Sequence, residues 1–134
     1  MAVALQAQEV KNETNNEFKW NPVYEAISMV ESGGNPKAVS PSGKYVGYLQ
    51  ISTVMVKACN QIVGKKKFKN NDRYSKEKSI EMFITFQEHY NPEHNVEKAF
   101  RLWNSGDPLC MQRKSKTNAY YKKAMKHYNK IIQN

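Results

Sequence analysis

The sequence predicts an all-α or nearly all-α domain, and three observations support this fold class. Apolar residues recur at three- and four-residue intervals in five segments of the chain. Glycine, proline or asparagine follows these segments at points where helices commonly stop. A strand pattern is weak and is confined to KYVGYL at 44–49. The 134 residues contain no internal repeat, so they predict one domain that is large enough to bury its own core.

The first two predicted helices flank a glycine-rich loop. The first begins at Asn21, which can act as its cap, has Pro22 at the first helical position, and ends at Gly33 and Gly34. The second fits residues 53–63 and stops at Gly64. Their apolar faces are predicted to be Val23, Ala26, Ile27 and Val30 in the first, and Val54, Ala58 and Ile62 in the second.

The other three helices follow a basic loop, GKKKFKNNDRY at 64–74. One starts from a cap at Ser75 and ends before Asn91, and the Asn-Pro pair at 91–92 is predicted to begin the next. NSGDP at 104–108 ends that helix, and the last helix spans about 118–132. Their inward positions are predicted to include Phe83, Phe86, Ala99, Phe100, Trp103, Tyr120, Tyr121, Ala124 and Tyr128.

Residues 1–19 are predicted to be a flexible leader, and residues 20–134 to be the folded domain. MAVALQAQE resembles the end of a secretory signal but lacks a basic start, so a trimmed export signal and a plain disordered leader both stay open. No apolar run approaches the roughly 20 residues of a membrane span. Cys59 and Cys110 are compatible with one disulfide in an exported protein, or with two buried thiols.

The net charge of +9 indicates an anionic partner without naming it. Nucleic acid, an anionic cell wall and a membrane surface all fit. The lysines of the 64–74 loop match no helix-turn-helix or zinc-finger spacing, so nucleic acid is not favoured. His89, His94 and His127 form no close metal-ligand pattern, and no phosphate loop or dinucleotide fingerprint is present. No metal or cofactor is therefore predicted.

Glu31 is the one carboxylate between 30 and 52. It lies at the carboxyl end of the first predicted helix, where unpaired carbonyls disfavour negative charge, and apolar neighbours would disfavour it further. Both effects raise the pKa of a glutamate toward that of a general acid. Taken alone, the same residue is more typical of a solvated helix end.

The segment that follows supplies a context for Glu31. Ser40, Gly43 and Gly47 allow the backbone to turn tightly and approach a ligand, and Gln50 adds an amide that both donates and accepts. Such a loop suits a glycan groove, although a glycine-rich surface turn would also account for its glycines.

The stretch ESGGNPKAVSPSGKYVGYLQIS at 31–52 resembles the signature of the soluble Slt-type lytic transglycosylases, a branch of the lysozyme-like superfamily. LWNSGD at 102–107 resembles a further family motif, with Trp103 in its aromatic position, and Thr117 and Tyr120 match a later Thr and Tyr. The resemblance covers about 22–128. Tyr48, Leu49 and Lys116 depart from the family's usual residues, which affects subsite preference more than the reaction.

This resemblance implies a lysozyme-like helical domain that cleaves peptidoglycan between N-acetylmuramic acid and N-acetylglucosamine. It makes Glu31 the single acid/base and Tyr120 its hydrogen-bonding support. Ser40, Gln50 and Asn104 would bind or frame the glycan. Cleavage in the family leaves 1,6-anhydro ends, and the basic loop would help to hold an acidic wall polymer.

Two alternatives remain open at this stage. A hydrolytic muramidase needs a second carboxylate, for which Asp72, Glu77, Glu81 and Asp107 are candidates, with Asp107 the nearest to a motif and also a typical turn residue. A non-catalytic glycan-binding or secretion-apparatus module is the other.

The resemblance further implies a monomer that is exported to the periplasm or cell wall, working with a conjugation, secretion or phage-entry apparatus.

Overall fold

The computed structural model describes residues 17–134, and in this range the fold is helical, as predicted. The five α-helices are α1 (Asn21–Glu31), α2 (Thr53–Val63), α3 (Lys76–Tyr90), α4 (Val96–Ser105) and α5 (Asn118–Gln133). Short 3₁₀ turns occupy Asn70–Tyr74, Cys110–Gln112 and Lys114–Thr117. The weak strand signal corresponds to two isolated antiparallel bridges, Val39 with Val46 and Val46 with Ile51. Most of the predicted leader, residues 1–16, lies outside the described residues.

The core lies where α1, α3 and α4 meet the 46–51 segment. Its largest fully buried side chains are Phe83, Phe100, Ile27, Leu49, Ile51 and Met82. The first and last helices pack against each other, with α4 beside both, while α2 packs on α3. This arrangement brings the end of α1 next to the start of α5.

Several local predictions need correction. The residue that caps α1 is Trp20, and Asn21 instead donates its side-chain amide to Tyr24 Oη at 2.9 Å. In α2 the inward residues are Val56 and Cys59, and Val54 is 69% exposed. The turn before α4 is longer than predicted. Asn95, not Asn91, caps α4, and its side chain accepts a hydrogen bond from the Lys98 N–H.

The two cysteines are buried free thiols. Cys59 Sγ lies 3.4 Å from the carbonyl oxygen of Met82, and burial raises its pKa to about 12. Burial also raises the pKa of Cys110. The second of the two alternatives for these residues therefore holds, and neither thiol is ionised near neutral pH.

Candidate active site

Glu31 is the last residue of α1, and the residue that follows it anchors the helix end. The Ser32 N–H donates to the carbonyl of Ser28 at 2.8 Å, and Ser32 Oγ donates to the carbonyl of Tyr48 at 2.8 Å. These bonds tie the end of α1 to the 40–51 loop. Glu31 is half-buried at the wall of a cavity of about 390 Å³, which we call the Glu31 cavity. Its other lining residues include Ser40, Tyr45, Gln50, Trp103 and Asn104.

Tyr120, in the first turn of α5, donates its hydroxyl to Glu31 Oε2 at 2.9 Å. Burial raises the pKa of Glu31 to about 7, and the hydrogen bond from Tyr120 opposes this rise only in part. Burial and the neighbouring Glu31 hold the pKa of Tyr120 well above its usual range, so the phenol keeps its proton and stays a donor. The pair thus provides a carboxyl that can give up and recover a proton near neutral pH.

The start of α5 is held by Arg101, which is 4% exposed. Its Nη1 donates to the Lys114 carbonyl at 2.9 Å, to Thr117 Oγ1 at 3.0 Å and to Asn118 Oδ1 at 2.8 Å. Its guanidinium also lies 4.3 Å from the ring centroid of Tyr121. Arg101 therefore contacts residues on both sides of Tyr120, at a helix start that has no side-chain cap. The sequence signal for it was a lone cation inside the apolar run AFRLW at 99–103.

Arg73 packs against the glycine-rich loop and forms a hydrogen bond with its backbone. A β-carbon at Gly47 would overlap the carbonyl oxygen of Arg73, and Gly47 has φ +88°, so only glycine fits. The side chain of Arg73 donates to the carbonyls of Ile51 at 3.2 Å and Asn70 at 2.8 Å. Sequence reasoning missed Arg73, since Gly47 and Ile51 come from a different segment of the chain.

The three residues expected to bind the glycan differ in how many hydrogen bonds their side chains already form within the protein. Gln50, at φ +52°, donates Nε2 to the carbonyls of Ala38 at 3.1 Å and Gly47 at 3.0 Å, so its amide braces the loop and leaves Oε1 to the cavity. Ser40 Oγ accepts from the Tyr45 N–H at 3.1 Å. Asn104 is exposed at the cavity rim.

Trp103 forms part of the cavity wall, with Nε1 donating to the carbonyl of Leu49 at 3.3 Å. It is 8% exposed and also packs against Phe83, with ring centroids 5.1 Å apart. The aromatic position of the LWNSGD motif is therefore both a cavity wall and a core contact.

The candidate second carboxylates lie elsewhere. Asp107 Oδ1 accepts from the Leu109 N–H at 2.9 Å and its Oδ2 pairs with Arg113 at 3.3 Å, while Asp72 accepts from the Lys69 N–H at 2.8 Å. Glu81 pairs with Lys67 at 2.8 Å, and Glu77 is exposed on α3. Among the described acids, Glu31 alone lines the cavity.

Residues 17–134 contain no group of three or more His, Cys, Asp or Glu placed to hold a metal ion. No helix among them has the length and apolar character needed to cross a membrane.

Comparison with known proteins identifies a family whose model covers most of the chain. Residues 8–130 match the transglycosylase SLT domain. No curated protein and no solved structure matches significantly. The match includes Glu31, the glycine-rich loop and Tyr120, so the whole of the described site lies within it.

Proposed function

Because the chain belongs to the transglycosylase SLT domain family, we propose that it is a peptidoglycan lytic transglycosylase with Glu31 as its single acid/base. The substrate bond is the one from N-acetylmuramic acid to N-acetylglucosamine, and the products carry 1,6-anhydro-N-acetylmuramic acid ends. The observation that carries the proposal is the Glu31 cavity, where one carboxyl with a pKa raised to about 7 accepts a hydrogen bond from Tyr120.

The first step uses Glu31 as an acid. Its proton goes to the glycosidic oxygen as the bond from that oxygen to the anomeric carbon breaks, and N-acetylglucosamine leaves with a free 4-hydroxyl. Most glycosidases stabilise the anomeric carbon or activate water with a second carboxylate. Here the oxygen of the substrate's own N-acetyl group takes the place of that carboxylate, as in substrate-assisted enzymes.

The second step uses the same residue as a base. The Glu31 carboxylate takes the proton of the muramyl 6-hydroxyl while that oxygen bonds to the anomeric carbon and displaces the N-acetyl oxygen. The carboxyl is then protonated again, and no water is consumed. A hydroxyl that belongs to the same sugar has a large advantage in effective concentration over bulk water.

The remaining residues have supporting roles in this proposal. Tyr120 keeps the Glu31 carboxyl in place through both steps. Asn104 at the rim and the free Oε1 of Gln50 bind N-acetyl or hydroxyl groups, and Ser40 holds the loop that carries them. The site of action is the periplasm or cell wall, where the substrate lies, and a conjugation, secretion or phage-entry apparatus would use such local opening of the wall.

The products decide between this proposal and its alternatives. Sacculi digested in ¹⁸O-water should release muropeptides that weigh one water less than hydrolysed ones and carry no label. Labelled reducing ends that disappear with Asp107→Asn would instead identify a hydrolytic muramidase. Binding to sacculi without release of any product would identify a non-catalytic glycan-binding module.

A further inference from the structure

A second hollow, of about 380 Å³, continues from the Glu31 cavity along α2. We call it the side hollow. Tyr45, Ser52, Met55, Trp103 and Asn104 line both spaces. The two spaces are therefore adjacent, and a ligand in the Glu31 cavity that extends past these residues reaches the side hollow.

Apart from the residues that it shares with the Glu31 cavity, the side hollow offers few free hydrogen-bonding side chains. Val54, Met55 and Ala58 form one wall, and the buried rings of Phe86 and Trp103 close its floor. Ser52 Oγ already accepts from the Met55 N–H at 3.1 Å, and Ser105 Oγ donates to the Arg101 carbonyl at 2.8 Å. A sugar ring needs several donors and acceptors, whereas small aliphatic side chains need only an apolar wall.

One cation stands at the rim of this apolar space. Lys44 lines the side hollow and is exposed, with its Nζ 5.5 Å from the ring centroid of Tyr45. No described acid lines the side hollow or forms an ion pair with Lys44. The charge that complements this site is therefore an anion supplied by the ligand.

We infer that the side hollow binds the stem peptide of the muramyl residue, with small side chains on the Val54, Met55 and Ala58 wall and a peptide carboxylate on Lys44. The inference rests on the proposed function, because the peptide is attached to the sugar chain that the Glu31 cavity would hold. It makes the protein selective for strands that still carry their peptides.

Binding to the Glu31→Gln protein tests this without turnover. The ligands are soluble glycan strands with their stem peptides and the same strands after an amidase has removed the peptides. We expect tighter binding of the peptide-bearing strands. Lys44→Gln should weaken their binding about two- to fivefold, the range of an exposed ion pair, and leave the bare strands unchanged.

Val54→Asp gives a stronger version of the same test. The new carboxylate would repel the carboxylate of the peptide, so the binding of peptide-bearing strands should weaken roughly tenfold. The variant should fold, because Val54 is 69% exposed in the first turn of α2, where an acid is favourable. Lys57→Gln, on the same helix but outside the side hollow, is the control and should change neither affinity.

Equal affinity for both strands, or equal losses for both with Lys44→Gln and Val54→Asp, would overturn the inference and assign the side hollow to sugar. Failure of the proposed function appears separately, as absence of anhydro products with the parent protein.

Discussion

Tyr120 and Glu31 are 89 positions apart in the sequence, and the Tyr120 hydroxyl donates to Glu31 Oε2 at 2.9 Å. One comes from the first turn of the last helix and the other from the last turn of the first helix. The bond therefore exists only where α1 and α5 pack together.

Replacing Glu31 by Gln should abolish cleavage while preserving the shape of the site. Loss of an acid/base group typically costs roughly 10²–10⁴-fold in rate, and here one residue serves two steps. The measurement is the release of soluble muropeptides from sacculi. Glu25→Gln, at an exposed position on the same helix, is the matched control and should keep the parent rate. Parent-like release by Glu31→Gln would remove Glu31 from the mechanism.

The contribution of Glu31 to the free energy of unfolding should decrease as pH rises. Its folded-state pKa of about 7 lies above the ordinary value of 4.5, so the folded protein binds this proton more tightly than the unfolded chain. The resulting stabilisation is complete below about pH 4.5 and is lost as pH rises through 7. Thermal unfolding at pH 4, 6 and 8 should therefore show Glu31→Gln gaining in Tm relative to the parent as pH increases. A constant difference would contradict the raised pKa.

Tyr120→Phe keeps the ring and removes the donor. Hydrogen bonds to charged groups contribute about 1.5–3 kcal/mol, so we expect a roughly 10- to 100-fold loss of activity. The pKa of Glu31 should rise further, because the Tyr120 bond lowers it, and the alkaline limb of kcat/KM should move to higher pH. Tyr121→Phe, one residue along, is the control. An unchanged rate and pH profile for Tyr120→Phe would leave Tyr120 as a packing residue only.

Arg101→Lys should act on catalysis through Tyr120. Lysine keeps the charge, but with one donor nitrogen it cannot bond Glu97, as Arg101 Nε does, and also make the Nη1 bonds that fix the start of α5. The alkaline limb should shift in the same direction as in Tyr120→Phe. When Arg101→Lys and Tyr120→Phe are combined, their losses of activity should not add, and the coupling free energy should be about 0.5–3 kcal/mol. Additive losses would mean that Arg101 supports the fold without positioning Tyr120, and Arg113→Lys on the surface serves as the control.

Gly47→Ala should destabilise the loop that faces Glu31. A left-handed φ costs a residue with a β-carbon roughly 1–3 kcal/mol, and the new methyl group would also overlap the Arg73 carbonyl. Gly43→Ala has a similar φ of +77° but no neighbour within 4 Å of the added carbon. We therefore expect a clearly lower Tm for Gly47→Ala than for Gly43→Ala, measured by thermal unfolding. Equal Tm values would show that the loop relaxes away from Arg73.

Helices were predictable from the sequence because their signals are local. The bounds of α2 follow from its apolar spacing and from Gly64, which adopts φ +86°. The predicted start of α4 was wrong. Asn91 forms hydrogen bonds with the side chain of Gln87 and the backbone of Asn95 instead of beginning a helix. Spacing alone could not distinguish the two faces of α2, whose inward side depends on contact with α3.

The site was predictable only in part, for the same physical reason. Glu31 and Tyr120 were identified by resemblance to a family, and their hydrogen bond depends on packing between distant helices. Arg73 and Arg101 act through backbone carbonyls of other segments, and a carbonyl has no sequence signature. Asp107 was a candidate acid by position, and its ion pair with Arg113 emerges only from the turn geometry.

Because the pair joins α1 to α5, the Glu31 site is complete only when the first and last helices of the domain have packed together. A single proteolytic cut between Arg113 and Thr117, where the chain enters α5, would leave Glu31 intact, and only packing would then hold the helix that carries Tyr120. Under the proposed function, a chain without α5 would keep its acid/base residue but lose the hydroxyl that donates to it.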